Sequence, residues 1–310
     1  MPFDRSALVD LDTAARLLRG GEVCAFPTET VYGLGGDATN SDAVLAIYET
    51  KGRPRFNPLI VHCADIDMAR QIARFDADAE RLATLWPGPL TLVLAQRRPN
   101  AISDLVSAGL DTIGIRIPAH PLARRLIAAV GRPLAGPSAN PSGRLSPTTA
   151  QQVVELFEGR VPVLDGGPCE RGVESTILAV SEGRAVQLRP GAIARQEIEA
   201  ALGRPVAMAG ADAPVAAPGM LASHYAPRAR VRLDAQAARP GEVLLGFGGI
   251  DGARNLSPSG DLREAARNLF AMLHELDAAG AEAIAVAPIP AEGLGEAIND
   301  RLRRAAAPRV

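Results

Sequence analysis

The chain has 310 residues, a length that favours two domains, and its composition of 47% hydrophobic but only 4% aromatic residues predicts aliphatic cores. The net charge of −2 and the pI of about 6.1 exclude a broad basic surface for RNA or for an anionic membrane. The three cysteines lie far apart, and the N-terminus has acids where a signal peptide requires basic residues, so we expect a cytoplasmic protein without membrane spans.

In the first part of the chain, short buried strands are predicted to alternate with helices. Gly20 and Gly21 can terminate the first helix, and Ser41 can cap the second, which ends at Lys51. The prolines of KGRPRFNP exclude a helix there. In order, the predicted elements are helix 13–19, strand 22–26, a polar glycine-rich loop 27–40, helix 41–51 and strand 58–63.

In the middle of the chain, the segment DTIGIRIP shows strand alternation. Ile113 and Ile115 share one face, so Thr112 and Arg116 must share the other. Further along, Glu182-Gly183 is predicted to be the turn of a hairpin. The predicted elements are two helices within 66–85, strands 90–96 and 111–118, helix 121–131, strand 133–136, loop 137–148, helix 148–157, strand 161–167, hairpin 175–191 and a helix ending near residue 203.

The last third begins with a stretch of small residues and prolines that is typical of a linker. After it, strand GEVLLGF, a helix from Asp261 to Ala279, strand AEAIAVAPI and a helix from Gly295 to Ala306 alternate, which predicts a small, open, parallel sheet. We therefore divide the chain into residues 1–208, a linker 209–228 and a C-terminal α/β domain 229–310.

Several familiar sites are absent from the sequence. The single lysine, Lys51, is followed by Gly-Arg, so there is no Walker A loop. The segment GLGGDA fits GxGxxA but does not open a helix directly after a strand, which argues against a dinucleotide site. The four histidines show no paired spacing for a metal, and Ser138 lacks the GxSxG context of a hydrolase nucleophile.

Polar clusters follow several of the predicted strands, and together they suit a nucleoside triphosphate. Of 33 basic side chains only Lys51 is a lysine, which as a compact point charge suits phosphate oxygens. Cations neutralise phosphates, whereas hydroxyls and amides bond phosphate, ribose and base. Prolines beside these groups pre-order the loops. The clusters contain Thr28, Glu29, Thr30 and Tyr32; Lys51, Arg53 and Asn57; Thr112 and Arg116; Ser138, Asn140, Ser142 and Ser146; and Arg189.

Five of these segments also resemble a known family. PTETVYGLG, KGRPRFNPL, TIGIRIP, PSANPSG and LRPG are similar, in order and spacing, to the YrdC domain. PGMLASHYAP and GLGEAINDRLRRAA resemble the added region of the longer Sua5 branch. The family is L-threonylcarbamoyladenylate synthase. The resemblance implies a twisted α/β sheet with a concave, positively charged cavity, a smaller Rossmann-like C-terminal domain, and a linker that covers the cavity.

The resemblance also implies residue roles. Lys51 and Arg53 match the family's catalytic cations. The implied threonine pocket contains Thr30, His62, Arg116, Gly136 and Ser175, and the implied ATP contacts are Arg53, Asn57, Thr112, Ser138, Ser146, Arg189 and Tyr225. Longer members often carry a basic residue just before HYAP, whereas this chain has Leu221-Ala222-Ser223.

The implied reaction joins L-threonine, bicarbonate or CO2 and ATP into threonylcarbamoyl-AMP and pyrophosphate, for modification of tRNA by a downstream threonylcarbamoyl transferase. Mg²⁺ would accompany ATP, since no protein metal site is predicted. A different class remains open: a double-stranded RNA-binding module would also present a concave basic surface. A third reading is the carbamoyl-adenylate module of hydrogenase maturation proteins, whose additional cysteine-rich regions this chain lacks.

Overall fold

The computed structural model describes residues 5–210, residue 218 and residues 224–308. These residues form two β-sheets, a large one within residues 5–208 (the large-sheet region) and a small one within residues 229–308 (the small-sheet region). None of the helices in these ranges is both long and apolar enough to cross a bilayer. The departure noted at Leu221-Ala222-Ser223 lies outside the described residues.

The large sheet is mixed, with eleven strands in the order β1-β8-β2-β3-β7-β4-β6-β5-β9-β10-β11. Its strands are β1 (Leu8–Val9), β2 (Cys24–Phe26), β3 (Gly33–Asp37), β4 (Ile60–His62), β5 (Leu90–Ala95), β6 (Thr112–Arg116), β7 (Leu134–Ala135), β8 (Val163–Leu164), β9 (Thr176–Ser181), β10 (Arg184–Arg189) and β11 (Ala207–Met208). A 3-10 turn, Arg5–Ala7, precedes it. Its helices are α1 (Leu11–Arg19), α2 (Ser41–Lys51), α3 (Ile66–Ile72), α4 (Ala77–Ala83), α5 (Pro121–Val130), α6 (Ala150–Phe157) and α7 (Arg195–Leu202).

The small sheet confirms the parallel sheet predicted for the end of the chain. Its four strands run parallel in the order β12-β15-β13-β14. They are β12 (Arg230–Arg232), β13 (Glu242–Gly246), β14 (Arg254–Asn255) and β15 (Ala283–Val286), with helices α8 (Leu262–Ala278) and α9 (Leu294–Ala306). The two shortest, β12 and β14, were not predicted, because two or three residues carry too little alternation to be recognised.

The prediction of a loop over residues 27–40 is wrong in part, because β3 lies within it as a fully buried strand. Its glycines serve close packing between layers. A Cβ atom at Gly35 would lie 2.9 Å from the Phe26 ring, and one at Gly36 would lie 2.9 Å from Ile47 of α2. In the sequence, these glycines indicate a turn. They lie instead in a strand whose neighbours leave no room for a side chain at Gly35 and Gly36.

The start of α2 also differs slightly from the prediction. Asn40, and not Ser41, is the N-cap, and its Oδ1 accepts hydrogen bonds from the backbone N of Asp42 at 2.9 Å and of Ala43 at 3.4 Å. The predicted helix end at Lys51 is confirmed, with Gly52 in the left-handed conformation. The hairpin of β9 and β10 turns at Glu182 and Gly183 as predicted.

One buried apolar cluster contains residues of both regions. Val31, Leu145, Val173 and Ala192 of the large-sheet region belong to the same buried cluster as the core of the small sheet. At Gly172, an added Cβ atom would lie 2.4 Å from the backbone of Arg267 in α8. The regions are therefore docked closely.

Candidate active site

One cleft brings together most of the residues predicted to bind ligands. Nine of the thirteen predicted site residues line it: Thr30, Arg53, His62, Arg116, Gly136, Ser138, Ser175, Arg189 and Tyr225. The remaining lining residues are Thr28, Val31, Gly33, Ile60, Pro137, Glu174, Pro218 and His224.

His62 and Arg116 are neighbours because β4 and β6 pair in parallel, with these two residues in register. Burial, and the positive charge of Arg116, lower the pKa of His62 to about 3, so the imidazole is neutral at physiological pH. Its Nδ1 atom has no hydrogen-bond partner among the described residues. A Cβ atom at position 136 would lie 3.0 Å from that nitrogen, so Gly136 leaves room beside the ring.

Arg116 forms a buried ion pair with Glu29. Its Nη2 lies 2.7 Å from Glu29 Oε1, and the backbone N of Ala119 donates to Glu29 Oε2 at 3.0 Å. The Nε of Arg116 has no partner among the described residues. This guanidinium is thus held in place from one side and keeps a donor for a further acceptor.

Arg53 follows α2 and reaches the cleft from the proline-stiffened loop. Its Nε donates to the carbonyl of Asn57 at 3.2 Å, and its Nη2 donates to that of Pro58 at 2.9 Å. Burial lowers the pKa of Arg53 to about 10, which leaves the side chain charged at neutral pH. The loop carbonyls therefore fix a cation at the cleft.

Arg189 ends β10, where an irregularity in the pairing with β9 falls between Gln187 and Arg189. Such bulges re-aim side chains. The guanidinium donates to the Ser175 carbonyl at 2.9 Å and to Ser175 Oγ at 3.2 Å. Ser175 Oγ also lies 2.8 Å from Thr91 Oγ1. Arg189 and Ser175, which lie near the two ends of the predicted hairpin, form one hydrogen-bonded unit.

Lys51 lies behind the cleft. Its side chain is 4% exposed, and Nζ donates to the carbonyls of Ser138 and Asn140, both at 2.5 Å. The backbone N of Ser142 donates to the Lys51 carbonyl at 2.7 Å. Burial, followed by the charge of Arg53, lowers the pKa of Lys51 well below its ordinary value. In this structure Lys51 fastens the PSAN loop, residues 137–140, to the end of α2.

Three other predicted site residues do not line the cleft. Asn57 contributes its backbone carbonyl to Arg53, and its Oδ1 is unpartnered among the described residues. Ser146 donates through Oγ to Glu174 at 2.5 Å. Thr112 begins β6 and lies at the opposite end of that strand from Arg116.

The end of the predicted linker closes one side of the cleft. Tyr225 is buried in the left-handed conformation at φ +60°, which is unfavourable for a non-glycine residue. Its hydroxyl lies 3.5 Å from Arg189 Nη1, which also donates to the Pro218 carbonyl at 3.3 Å. The backbone N of Ala226 donates to Gly143 at 2.8 Å, which fixes this segment to the PSAN side.

Two titratable residues at the cleft were not predicted from the sequence. Glu174 precedes Ser175, and an acid is an unexpected neighbour for a triphosphate. His224 was assigned to no site from the sequence, yet it lines the cleft. Burial lowers the pKa of His224 to about 3, and its Nδ1 is unpartnered among the described residues. A signal was available for His224, since it precedes Tyr225 in the HYAP motif.

Fold and site together define a class of protein. A twisted mixed sheet carries a cleft lined by Arg53, Arg116 and Arg189, and a four-stranded parallel α/β unit is docked against it. This is the two-domain architecture expected from the Sua5 branch of YrdC-like proteins.

The family models agree with this class. The Sua5/YciO/YrdC model, described as telomere recombination, matches residues 16–191. The model described as threonylcarbamoyl-AMP synthase, C-terminal domain, matches residues 193–307. The chain belongs to the threonylcarbamoyl-AMP synthase family.

Similar proteins cover nearly the whole chain. The threonylcarbamoyl-AMP synthase of Pyrococcus abyssi is 39% identical over 96% of this chain and 94% of its own length. The enzyme of the same name from Bacillus subtilis is 41% identical over 96% and 93%. The crystal structure of P. abyssi Sua5 complexed with L-threonine superposes with a TM-score of 0.87 at 38% identity, covering 96% of this chain and 94% of that one.

More distant structures share the fold alone. Escherichia coli YciO has a TM-score of 0.53 at 22% identity, and a full-length HypF structure has the same score at 18% identity with 29% of its length covered. The alternative of a double-stranded RNA-binding module finds no support in any of these similarities.

Proposed function

We propose that this chain is a threonylcarbamoyl-AMP synthase, which converts L-threonine, bicarbonate or CO2 and ATP into threonylcarbamoyl-AMP and pyrophosphate. The observation that carries the proposal is the convergence of Arg53, Arg116 and Arg189 on one cleft beside a neutral His62. Three guanidiniums suit an anionic ligand such as a triphosphate. The relative crystallised with L-threonine supports an amino acid as the second ligand.

The proposed chemistry has two bond-forming steps. The threonine amine attacks CO2, or bicarbonate with loss of water, and forms N-carboxy-threonine. An oxygen of the new carboxylate then attacks the α-phosphorus of ATP in line, and the bond to the bridging oxygen breaks as pyrophosphate leaves. No covalent intermediate with the protein is required, so the cleft accelerates the reaction through orientation and charge neutralisation.

The two ends of the cleft suit the two substrates, the amino acid and the triphosphate. Near β4 and β6, the unpartnered nitrogens of His62 and Arg116 provide a place for the amino acid, with the guanidinium toward its carboxylate. With a pKa of about 3, His62 is too weak a base to deprotonate an ammonium group, so it positions the substrate. Arg53 and Arg189 would face the phosphates, and Lys51 would act by holding the PSAN loop.

Mg²⁺ is proposed to enter as part of the MgATP substrate. Among the described residues no group of three His, Cys, Asp or Glu side chains could hold a metal ion. Glu174 is the acidic residue that lines the cleft, and its carboxylate is already bonded to Ser146 and Arg301. Phosphate oxygens and water would therefore supply the Mg²⁺ ligands, and the ion would neutralise phosphate charge.

The proposed setting is the cytoplasm, where a tRNA threonylcarbamoyl transferase would consume the product. Cys24, Cys63 and Cys169 are buried free thiols, which is typical of proteins from a reducing compartment. Burial raises the pKa of Cys24 and of Cys169 to about 12, so these thiols are unreactive.

The test is pyrophosphate release from MgATP with each substrate omitted in turn. We expect release that requires both L-threonine and bicarbonate, and α-labelled ATP should yield a labelled threonylcarbamoyl-AMP. L-serine in place of L-threonine tests the selectivity of the amino-acid end. Equal release without the amino acid would contradict the proposal, and so would labelled AMP without the carbamoyl product.

A further inference from the structure

Arg301 of α9 is the least exposed arginine among the described residues, at 1% exposure, and it lies outside every predicted site. It belongs to the small-sheet region but directs two donors into the large-sheet region. Nε donates to Glu174 Oε2 at 2.7 Å, and Nη1 donates to the Pro190 carbonyl at 2.9 Å. Pro190 follows Arg189, so both contacts are made beside cleft residues.

The same guanidinium also contacts the tyrosine that closes the cleft. Its Cζ lies 5.2 Å from the centre of the Tyr225 ring, a cation–π distance. Asp300 holds Arg301 from its own helix at 2.7 Å, and Asp300 in turn accepts from Arg304 at 3.0 Å. Contacts within α9 thus help to orient the Arg301 side chain toward Glu174.

The negative charge of Glu174 explains why a buried cation is required at the position of Arg301. Its carboxylate lines a cleft that we propose for a triphosphate, where a negative charge opposes binding. Although burial alone would raise it, the guanidiniums of Arg301 and Arg189 hold the pKa of Glu174 below its ordinary value, so the group is ionised. One oxygen is bonded to Ser146 and the other to Arg301.

We infer that Arg301 is a positioning residue for the nucleotide: it neutralises Glu174, leaves Arg189 available for phosphate, and orients Tyr225. The inference deepens the proposed function and rests on it. It also assigns a purpose to the docking of the small-sheet region, which would supply the counter-charge that the cleft requires. Arg301 does not line the cleft and would touch no substrate.

The test compares Arg301→Met with wild type by calorimetric titration of ATP, AMP and L-threonine. We expect the Kd of ATP to rise about tenfold or more, because the uncompensated Glu174 repels the phosphates and attracts Arg189. The rise should be smaller for AMP and smallest for zwitterionic L-threonine. A merely structural loss would weaken all three ligands alike, and that result would overturn the inference.

Two further variants isolate the charge. In Arg301→Met/Glu174→Gln the unpaired carboxylate is gone, so most of the lost ATP affinity should return. Arg301→Lys keeps the positive charge, but a lysine lacks the planar guanidinium that bonds both Glu174 and the Pro190 carbonyl. We therefore expect an intermediate loss of ATP affinity. If the double variant binds ATP no better than the single one, or if Arg301→Met binds ATP within about twofold of wild type, the inference is wrong.

Arg232→Met is the matched control, because Arg232 pairs with Glu242 at 2.5 Å within the small-sheet region and away from the cleft. We expect it to leave all three affinities unchanged. Thermal unfolding of each variant verifies that it is folded. The proposed function is tested separately by threonine-dependent pyrophosphate release from the wild type, so its failure and a failure at Arg301 give different results.

Discussion

The two regions of the chain bury different kinds of side chain. The large-sheet region buries many charged groups, among them Glu29, Lys51, Arg53, Arg116 and Arg189. In the small-sheet region, the buried charged residues among those described are Asp300 and Arg301. Burying charge costs stability unless each group is paired and hydrogen-bonded.

The large-sheet region therefore buries charge around a cleft, whereas the small-sheet region buries mainly apolar side chains. The small sheet packs aliphatic and aromatic residues between β13, β15 and the helices α8 and α9, and its two buried charges both lie on α9, from which Arg301 reaches the large-sheet region. The large-sheet region accepts the cost of charge where the cleft requires cations. The two regions are therefore complementary: one carries most of the residues that line the cleft, and the other packs against it and provides Arg301 as the partner of Glu174.

The largest expected effect concerns Lys51 and Arg53, two buried cations at the same helix end. Arg53→Ala and Lys51→Ala should each lower the rate of threonine-dependent pyrophosphate release by about 10²-fold or more, the scale for losing an electrostatic stabiliser. Each substitution also removes a donor from two carbonyls, so each should lower the free energy of unfolding by about 1–3 kcal/mol per carbonyl. Steady-state assays and urea unfolding measure the two quantities.

Arg254→Ala is the control for both variants. Arg254 pairs with Glu275 on the surface, with both side chains about half exposed, and such pairs contribute about 0–1 kcal/mol. Near-normal turnover in Arg53→Ala and Lys51→Ala would show that neither residue serves the reaction. Lost turnover with unchanged stability in Lys51→Ala would instead favour direct contact with phosphate over a loop-fastening function.

A smaller effect tests how tightly the two regions must dock. Gly172 has φ +71° and lies against the backbone of Arg267, whereas Gly183 has φ +70° with no atom within 4 Å of an added Cβ. Gly183→Ala should lose about 1–2 kcal/mol of stability from the left-handed conformation alone. Gly172→Ala should lose about 1–3 kcal/mol more, because the methyl group forces α8 away. Urea unfolding measures the difference.

Activity gives this glycine pair a second readout. If close docking of the small-sheet region is required for the geometry of the cleft, Gly172→Ala should also raise the KM for ATP, and Gly183→Ala should not. Equal stabilities and equal KM values in the two variants would mean that α8 can shift without consequence for the cleft.

Motif spacing brought together most of the residues that line the cleft, because many of them follow strands. The alternation of TIGIRIP put Arg116 on the polar face of its strand, the family resemblance implied a pocket shared with His62, and the parallel register of β4 and β6 makes the two residues neighbours. The helices also followed from local pattern and capping. These features depend on neighbours in sequence, which is the information that a single sequence carries.

Features that depend on distant packing were missed. The glycines of β3 are required by Phe26 and Ile47, and no local rule separates that need from a turn. The ammonium of Lys51 is enclosed by carbonyls 87 and 89 residues away. Arg301 pairs with Glu174 across 127 residues, and in sequence it is one of many arginines on a helix. Chemistry indicated the residue types, but only the fold determines their partners.

The smallest expected effect concerns the buried histidines of the cleft. His62 and His224 have pKa values of about 3 in the folded chain, against about 6.5 when unfolded. Between these values the unfolded state binds more protons, so the free energy of unfolding must fall as the pH decreases from 6.5. Near pH 5 each histidine should contribute a slope of about 1.4 kcal/mol per pH unit.

Urea unfolding between pH 5 and 6.5 measures this slope while most carboxylates stay ionised. His62→Gln and His224→Gln should each flatten it by about one proton, and His274, whose pKa burial also lowers, contributes equally to all variants and cancels. Between pH 7 and 8 both histidines are neutral in the two states, so the variants should run parallel to wild type there. An undiminished slope in His62→Gln would mean that this imidazole is protonated in the folded chain. The neutral hydrogen-bonding group assigned to the amino-acid end of the cleft would then be a second cation beside Arg116, and the large-sheet region would bury one more charge than the comparison of the two regions assigns to it.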